Sequence, residues 1–375
     1  MKQVYLDNAA TTQIRPEVIT EMVKVLSEDY GNPSSTHSFG RHSKSLIELS
    51  RKSIAKHFNV SAQEILFTSG ATEANNWILT SAVRDLNVSR IITSKVEHHA
   101  VLEVVENIAD NQEIEVVYVK IKQDGQIDYT HLNELLSDEK LTLVSLMHVN
   151  NEIGSVMDIE KVARICKQHK AYFHSDTVQS IGKAKLDLQV VQADFIVASA
   201  HKFHGPKGIG FLFIRKGIVV HPILFGGGQE KGMRAGTEPI HNIVGMAKAL
   251  QLSYDNLLHE QSHITGLRAY AIEQLQQRFN EVKVNGSAEY GFYNIVNVCL
   301  PLAADKASMI LFNLDIKGIA VSRGSACQSG TTRPSHVLAE ILNQDDIVKP
   351  SLRISFSHYN TKEDIDYLLD ALLSI

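Results

Sequence analysis

The sequence predicts an α/β protein: a large domain with a mainly parallel sheet covered by helices, joined to a smaller α+β domain. Three observations carry this expectation. First, the runs "EILFTS" (64–69), "RIITS" (90–94), "IEVVYV" (114–119), "LTLVSLMHV" (141–149), "AYFHS" (171–175) and "DFIVAS" (194–199) read as strands. Several are apolar on both faces, as strands buried between helix layers must be. Second, helical stripes lie between them: Ala74, Ile78, Ala82 and Leu86; Val101, Val104, Val105 and Ile108; Ile159, Val162, Ile165 and Cys166. Third, the rhythm changes after about residue 255. There "EVKVN", "FYNIVNVCLP", "GIAVS" and "LRISFS" read as strands of a separate, more antiparallel sheet, and Thr361 and Asp364 are spaced to cap a last helix. The large domain is expected at 15–255. The small one is expected at 256–375 together with residues 1–14, since "YLDNAATT" joins the small domain or the cleft.

Bulk properties narrow the function classes. Of 375 residues, 44% are hydrophobic and 21% charged, as in ordinary globular proteins, and the formal net charge of −5 gives no reason to expect nucleic acid as a ligand. No apolar run has the length of a membrane span, and the N-terminus lacks a signal-peptide core. Cys166, Cys299 and Cys327 are far apart and form no CxxC, so neither a zinc site nor a disulfide framework is suggested. A reducing cytoplasm is the expected compartment.

Ligands of such sheets bind beyond the carboxyl ends of the strands, and the polar clusters of this chain fall there. "SGATEANN" follows the first strand, and Gly70, Ala71 and Thr72 open a helix whose backbone N–H groups suit a phosphate; a plain helix cap by Thr72 is the alternative. Asp176 ends "AYFHSD", with Gln179 three residues on; a carboxylate there can face a cationic ring nitrogen or simply cap the next turn. Ser199, His201 and Lys202 follow "DFIVA". A lysine in a desolvated site loses basicity and can bond an aldehyde, while Ser199 and His201 can hold a phosphate. An aldehyde-bonding lysine, a carboxylate for a pyridinium nitrogen and a phosphate seat are together what pyridoxal 5′-phosphate (PLP) requires. His98 stands at another strand end, where it can stack on a ring and move protons, with His99 read as an ordinary helix-start histidine. His201 and His204 have metal-like spacing but no third ligand, so no metal is expected. The loop 226–240, with Arg234 and Thr237, covers a phosphate or is a flexible surface loop. Cys166 and Cys299 sit in apolar stretches, whereas Cys327, among small and polar residues, is placed like a reactive thiol on an exposed loop. Arg353 alternates with Leu352 and Ile354 and either clamps a carboxylate or makes a surface ion pair.

With these residues in view, the chain resembles the NifS/IscS-type cysteine desulfurases, in the class V branch of the aspartate-aminotransferase-like PLP enzymes. The motifs "YLDNAATT", "GNPSSTH", "TSGATEANN", "EHHAVLE", "HVNNEIG", "HSDTVQSIGK", "SAHKFHGPKGIG", "GGGQEKGMRAGT", "RGSACQSG" and "LRISFS" follow in family order over nearly the whole chain. The resemblance implies that Lys202 bonds the cofactor, Asp176 pairs with its ring nitrogen, Gln179 hydrogen-bonds its ring hydroxyl oxygen and His98 stacks on the ring. It implies a phosphate held by Ala71, Thr72, Ser199 and His201, with Thr237 reaching the phosphate of the neighbouring subunit in a homodimer. Asn151 and Arg353 would bind the substrate carboxylate, Asn151 also lying against the cofactor, and Asn8 would line the same pocket. Cys327 would accept sulfur as a persulfide while L-cysteine becomes L-alanine, and an acceptor protein for iron–sulfur cluster assembly or tRNA thiolation would take it on. Members similar to IscS carry a longer tail associated with docking a scaffold protein, and the early end at Ile375 points to a relative serving a tRNA-modifying or other acceptor. An aminotransferase or a selenocysteine lyase on the same scaffold, or a noncatalytic sulfur carrier, are the alternatives.

Overall fold

In the computed structural model of the chain, residues 2–303, 309–323 and 335–374 are described. Among them twelve strands form three sheets. In chain order these are β1 (Val4–Tyr5), β2 (Ile65–Thr68), β3 (Arg90–Thr93), β4 (Glu115–Tyr118), β5 (Thr142–Ser145), β6 (Tyr172–Asp176), β7 (Phe195–Ser199), β8 (Gly210–Ile214), β9 (Lys283–Asn285), β10 (Ile295–Cys299), β11 (Ile319–Ala320) and β12 (Ser351–Ser355).

The largest sheet runs β2-β8-β7-β6-β5-β3-β4. The pairs β3/β4, β3/β5, β5/β6 and β6/β7 are parallel, while β8 is antiparallel to both neighbours, β7 and β2. The sequence reading had not counted β8 as a strand. Its run "GFLFI" lies directly behind the glycines that drew attention to Lys202, and it is buried throughout. Alternation along the strands sorts the core into two layers. Ile65, Phe67, Phe173, Ile196, Phe211 and Phe213 meet the helices Pro16–Glu28, Ser38–His57, Ile159–Gln168 and Ile240–Asp255. Leu66, Ile91, Leu143, Phe195, Val197 and Leu212 meet the helices Ala71–Arg84 and His99–Asn111. Each such side chain contributes roughly 1.5–3 kcal/mol when fully withdrawn from water, so both faces must be covered.

The second body has its own core. β10 is central and antiparallel to β9 and β12, and Val296 and Val298 stand opposite Ile354 and Leu352. These pack with Leu267 and Leu275 of the helix Leu257–Arg278 and with Leu368 and Leu372 of the helix Lys362–Leu373. The latter helix starts where expected, Thr361 N–H donating to Asp364 Oδ2 at 3.2 Å. One expectation is corrected. "GIAVS" does not join the antiparallel sheet; its strand β11 pairs in parallel with β1 of the N-terminal segment. The physical reason is that β9 and β12 already flank β10, so the apolar residues of β1 and β11 complete the core beside it. No described helix is long and apolar enough to cross a membrane.

The glycine-rich loop 226–237 is not loosely held. Glu230 and Lys231 take left-handed backbone angles (φ 46° and 59°), and the Glu230 carboxylate is buried. Arg51 meets it with two prongs, Nη1 to Oε2 at 2.7 Å and Nη2 to Oε1 at 2.6 Å, while Phe67 N–H donates to Oε2 at 2.9 Å. Removing one member of a buried, hydrogen-bonded pair strands the other charge. Arg51→Ala is therefore expected to cost about 3–5 kcal/mol, read as a lowered denaturant midpoint; a variant as stable as the parent would show that the pair does not anchor the loop.

Candidate active site

Strand directions decide where polar residues gather. Because β3, β5, β6 and β7 are parallel, the segments leaving their carboxyl ends emerge on one side of the sheet. β8 runs against β7, and β2 against β8, so β2 points with β7 and its carboxyl end lies on that same side. The start of β8 is there too. One cavity of about 460 Å³ opens at this end, within the roughly 300–1,000 Å³ usual for small-ligand sites.

Of the residues singled out in the sequence, Ala71, Thr72, His98, Asn151, Asp176, Gln179, Ser199, His201, Lys202 and Arg353 all line it. Two of the described ones do not come together there. Asn8 is buried, but its amide is spent on Ser355 O (2.8 Å) and Asn360 Oδ1 (3.2 Å), so it fastens the N-terminal segment to β12 rather than lining the pocket. Its neighbours Ala9, Ala10 and Thr11 take that place. Thr237 is exposed and outside the cavity of its own chain. Cys327 lies outside the described residues.

Asp176 ends β6 buried at 6% exposure. Its geometry includes the turn cap and an unexpected amide partner. Oδ1 accepts the backbone N–H of Val178 at 3.0 Å, as a turn cap does, and Oδ2 accepts Asn75 Nδ2 at 2.9 Å. Asn75 was not anticipated. It is wholly buried in the first turns of the helix Ala71–Arg84, and its Oδ1 has no partner among the described residues. A helix-face asparagine between two apolar positions was the available signal.

Lys202 follows β7 by one turn, and its Nζ donates to the carbonyl oxygen of Ala9 at 2.7 Å. Gln179 Nε2 donates to the same oxygen at 2.9 Å. His201 Nδ1 lies 3.1 Å from Thr11 Oγ1, and burial with the nearby lysines pushes its pKa down to about 4. It therefore acts at neutral pH as an uncharged hydrogen-bonding group. His204 is directed elsewhere, Nδ1 sitting 2.8 Å from Gln13 O. Among the described residues no cluster could hold a metal ion.

His98 caps the helix His99–Asn111, Nδ1 accepting the Ala100 N–H at 3.0 Å. Burial lowers its pKa against the opposing pull of Asp176, so the imidazole is neutral at physiological pH. Glu97, passed over in the sequence, stands behind it. Its Oε1 accepts Ser94 Oγ at 2.8 Å and Met147 N–H at 3.0 Å, and burial raises its pKa to about 8.

Arg353 is 1% exposed, not a surface ion pair. Because β12 alternates, Leu352 and Ile354 enter the core and Arg353 faces the cavity. Nη2 donates to Asp7 Oδ1 at 2.8 Å and Nη1 to Asn151 O at 2.9 Å. Nε has no partner among the described residues.

Residues 4–368 match the class V aminotransferase family, and the chain belongs to it. It is 41% identical to the cysteine desulfurase IscS of Dictyoglomus turgidum, over 99% of this chain and 94% of that protein. It is 39% identical to the cysteine desulfurase IscS of Clostridium botulinum, over 100% and 94%. A solved NifS-like protein superposes with a TM-score of 0.92 at 35% identity, covering both chains completely.

Enzymes of this family depend on PLP, and the residues present fit that group. The helix mouth at Gly70–Thr72, with Ser199 and His201, offers phosphate donors. Asn75 Oδ1 and Arg353 Nε are buried polar atoms of cavity-lining residues, without a partner among the described residues. Of the charged residues lining the cavity, Glu73 is held by Arg234 at 2.9 and 3.0 Å and Arg353 by Asp7 at 2.8 Å. That leaves Lys202 and Lys207 beside Asp176, a balance that favours an anion. Gly70 takes φ 154° and ψ −177°, a conformation open essentially to glycine alone. Gly70→Ala is thus expected to strain the helix mouth by about 1–3 kcal/mol and weaken PLP binding about tenfold in a spectroscopic titration; unchanged affinity would remove this turn from the phosphate seat.

Proposed function

We propose that this protein is a PLP-dependent cysteine desulfurase, converting L-cysteine to L-alanine and leaving the sulfur as a persulfide on Cys327 for transfer to an acceptor protein. The observation that carries the reading is the convergence of Lys202, Asp176, His98, Gln179 and Arg353 on one cavity, in a chain of this family. The named relatives supply the activity.

When bound, PLP supplies an aldehyde for an amine and a ring that accepts the electron pair of the substrate's α-carbon. Lys202 would bond that aldehyde, and its freed amine would take the proton from the substrate's Cα. Asp176, held by Asn75 and the Val178 N–H, would keep the ring nitrogen protonated. Gln179 would donate to the ring hydroxyl oxygen. Ala71, Thr72, Ser199 and His201 would hold the phosphate. Arg353 would meet the substrate carboxylate through Nε, with Asn151 beside it. His98, neutral, would face the ring and move a proton between the thiols and the reacting carbon. The sulfur step balances as follows. Cys327 thiolate attacks the substrate sulfur, an S–S bond forms, and the Cβ–S bond breaks with its electron pair staying on the substrate carbon. Cβ gains a proton, Cα regains the one Lys202 took, and the product leaves as alanine.

The described flanks of Cys327 are tied near the cavity. Ser322 Oγ donates to Asp7 Oδ1 at 2.9 Å, the carboxylate that also holds Arg353. On the other side Ser335 bonds Glu152, and His336 Nε2 sits 2.9 Å from the carbonyl of Glu97, next to His98.

We further read the protein as a cytoplasmic homodimer. Thr237 is exposed and absent from its own cavity, as a residue serving a neighbour's phosphate would be. The helix Pro16–Glu28 also presents Ile19, Val23 and Leu26 to solvent, an apolar face for a second copy. The acceptor is a sulfur-relay protein of tRNA thiolation or of iron–sulfur assembly.

Cys327→Ser is expected to retain the yellow, PLP-loaded protein while losing persulfide formation and alanine release by at least a hundredfold, about 2.7 kcal/mol of barrier. Mass spectrometry of the 327 peptide after L-cysteine, beside an alanine assay, measures both. Sulfur transfer at the parent rate would exclude Cys327. Lys202→Ala is expected to abolish turnover yet still bind PLP through its phosphate; residual turnover of one part in ten would exclude Lys202. A keto acid instead of alanine from the parent enzyme would favour the aminotransferase reading.

A further inference from the structure

Lys183 is a lysine that the chemistry above does not use. It closes the turn after β6 and is 8% exposed. No carboxylate pairs with it among the described residues, which is unusual, since a buried ammonium is costly unless something takes up its charge. Its Nζ donates instead to Gln179 Oε1 at 3.2 Å. The other end of that amide, Nε2, donates to Ala9 O, which also receives Lys202 Nζ. The network closes in one sense only. A lysine amine offers hydrogens and a backbone carbonyl offers none, so the amide between them must turn its oxygen to Lys183 and its N–H₂ to Ala9 and the cavity.

We propose that Lys183 is a positioning residue for the cofactor site: it pins the Gln179 amide so that its donor end, beside Lys202 Nζ, faces the cavity. This rests on the reading that Gln179 serves the ring hydroxyl oxygen of PLP, which needs a donor there. Without Lys183 the amide would be held at one end only, by Ala9 O, and would be freer to swing away from the cavity.

The electrostatics agree. Lys183 faces Lys202, His201 and His204, all basic groups, and burial followed by the charge of Lys202 lowers its pKa to about 7. On the cavity side Lys202 also meets His98 and Asp176.

The test is a double-mutant cycle on the full chain, read as the PLP dissociation constant by spectroscopic titration. Lys183→Met is expected to weaken PLP binding about tenfold. Lys183→Arg, which still donates, stays within about threefold of the parent. Lys183→Met combined with Gln179→Ala binds no more weakly than Gln179→Ala alone. Parent-like affinity in Lys183→Met, or losses that add in the double variant, would overturn the proposal, the latter because a role independent of Gln179 adds.

Should Lys183→Met fail to fold, Lys183→Arg decides. Its PLP dissociation constant is then the readout: within about threefold of the parent, with Lys183→Arg plus Gln179→Ala binding no more weakly than Gln179→Ala alone, is the expected result. A tenfold loss in Lys183→Arg, or losses that add with Gln179→Ala, overturns the proposal. Borohydride reduction of the PLP-loaded parent separates the two readings. If Lys202 is not the modified residue, the assignment of the cofactor lysine fails. If it is, and the outcomes above still go against Lys183, this inference alone fails.

Discussion

The carbonyl oxygen of Ala9 takes two donors at once, Lys202 Nζ at 2.7 Å and Gln179 Nε2 at 2.9 Å, and the site depends on that junction. Ala9 belongs to a segment that enters from the smaller body. Val4 and Tyr5 pair with β11, Asp7 joins Arg353 to Ser322, Asn8 grips Ser355, and Thr12 N–H donates to His201 O at 2.9 Å. Few residues thus fix the cation of β12 and the lysine beyond β7 in one frame. Neither body holds the complete cavity. Thr72, Asp176, Ser199 and Lys202 come from the ends of the large sheet's strands, while Arg353 comes from the small sheet.

How much of this could be read from the sequence follows from the range of each interaction. Five of the six strands read from the sequence, β2, β3, β5, β6 and β7, are almost wholly buried, so apolar composition marks them, while the edge strand β4 is only half-buried and shows through its adjacent valines. The polar clusters at their ends were legible because strand direction places them together. β8 was missed because the glycines before it read as loop, and nothing local says that the strand behind them turns antiparallel. The pairing of β11 with β1 joins segments more than 300 residues apart, and no local pattern encodes it. Asn8 was assigned to the pocket by resemblance; its actual contacts, Ser355 and Asn360, lie at the other end of the chain.

Asn75, Glu97 and Lys183 escaped for a shared reason. Each acts behind a residue that was recognised: Asn75 on Asp176, Glu97 beside His98, and Lys183 on Gln179. A buried polar side chain is informative only once its burial is known, and sequence does not give burial for an asparagine on a helix or a lysine in a turn. Arg353 was recognised but its two readings were undecided, and its 1% exposure settles only that it is no surface ion pair.

The carbonyl that Lys202 meets at 2.7 Å belongs to the backbone, so Ala9 fixes the position of the amine without a side chain of its own taking part. A backbone acceptor of this kind is set by the path of the chain and not by a rotamer. Asp176, the carboxylate in the cavity not held by an arginine among the described residues, is engaged by Asn75 and the Val178 N–H. The fold thus places the carboxylate at the end of β6 and the lysine beyond β7, both lining one cavity, and the N-terminal segment supplies the carbonyl that fixes the lysine there.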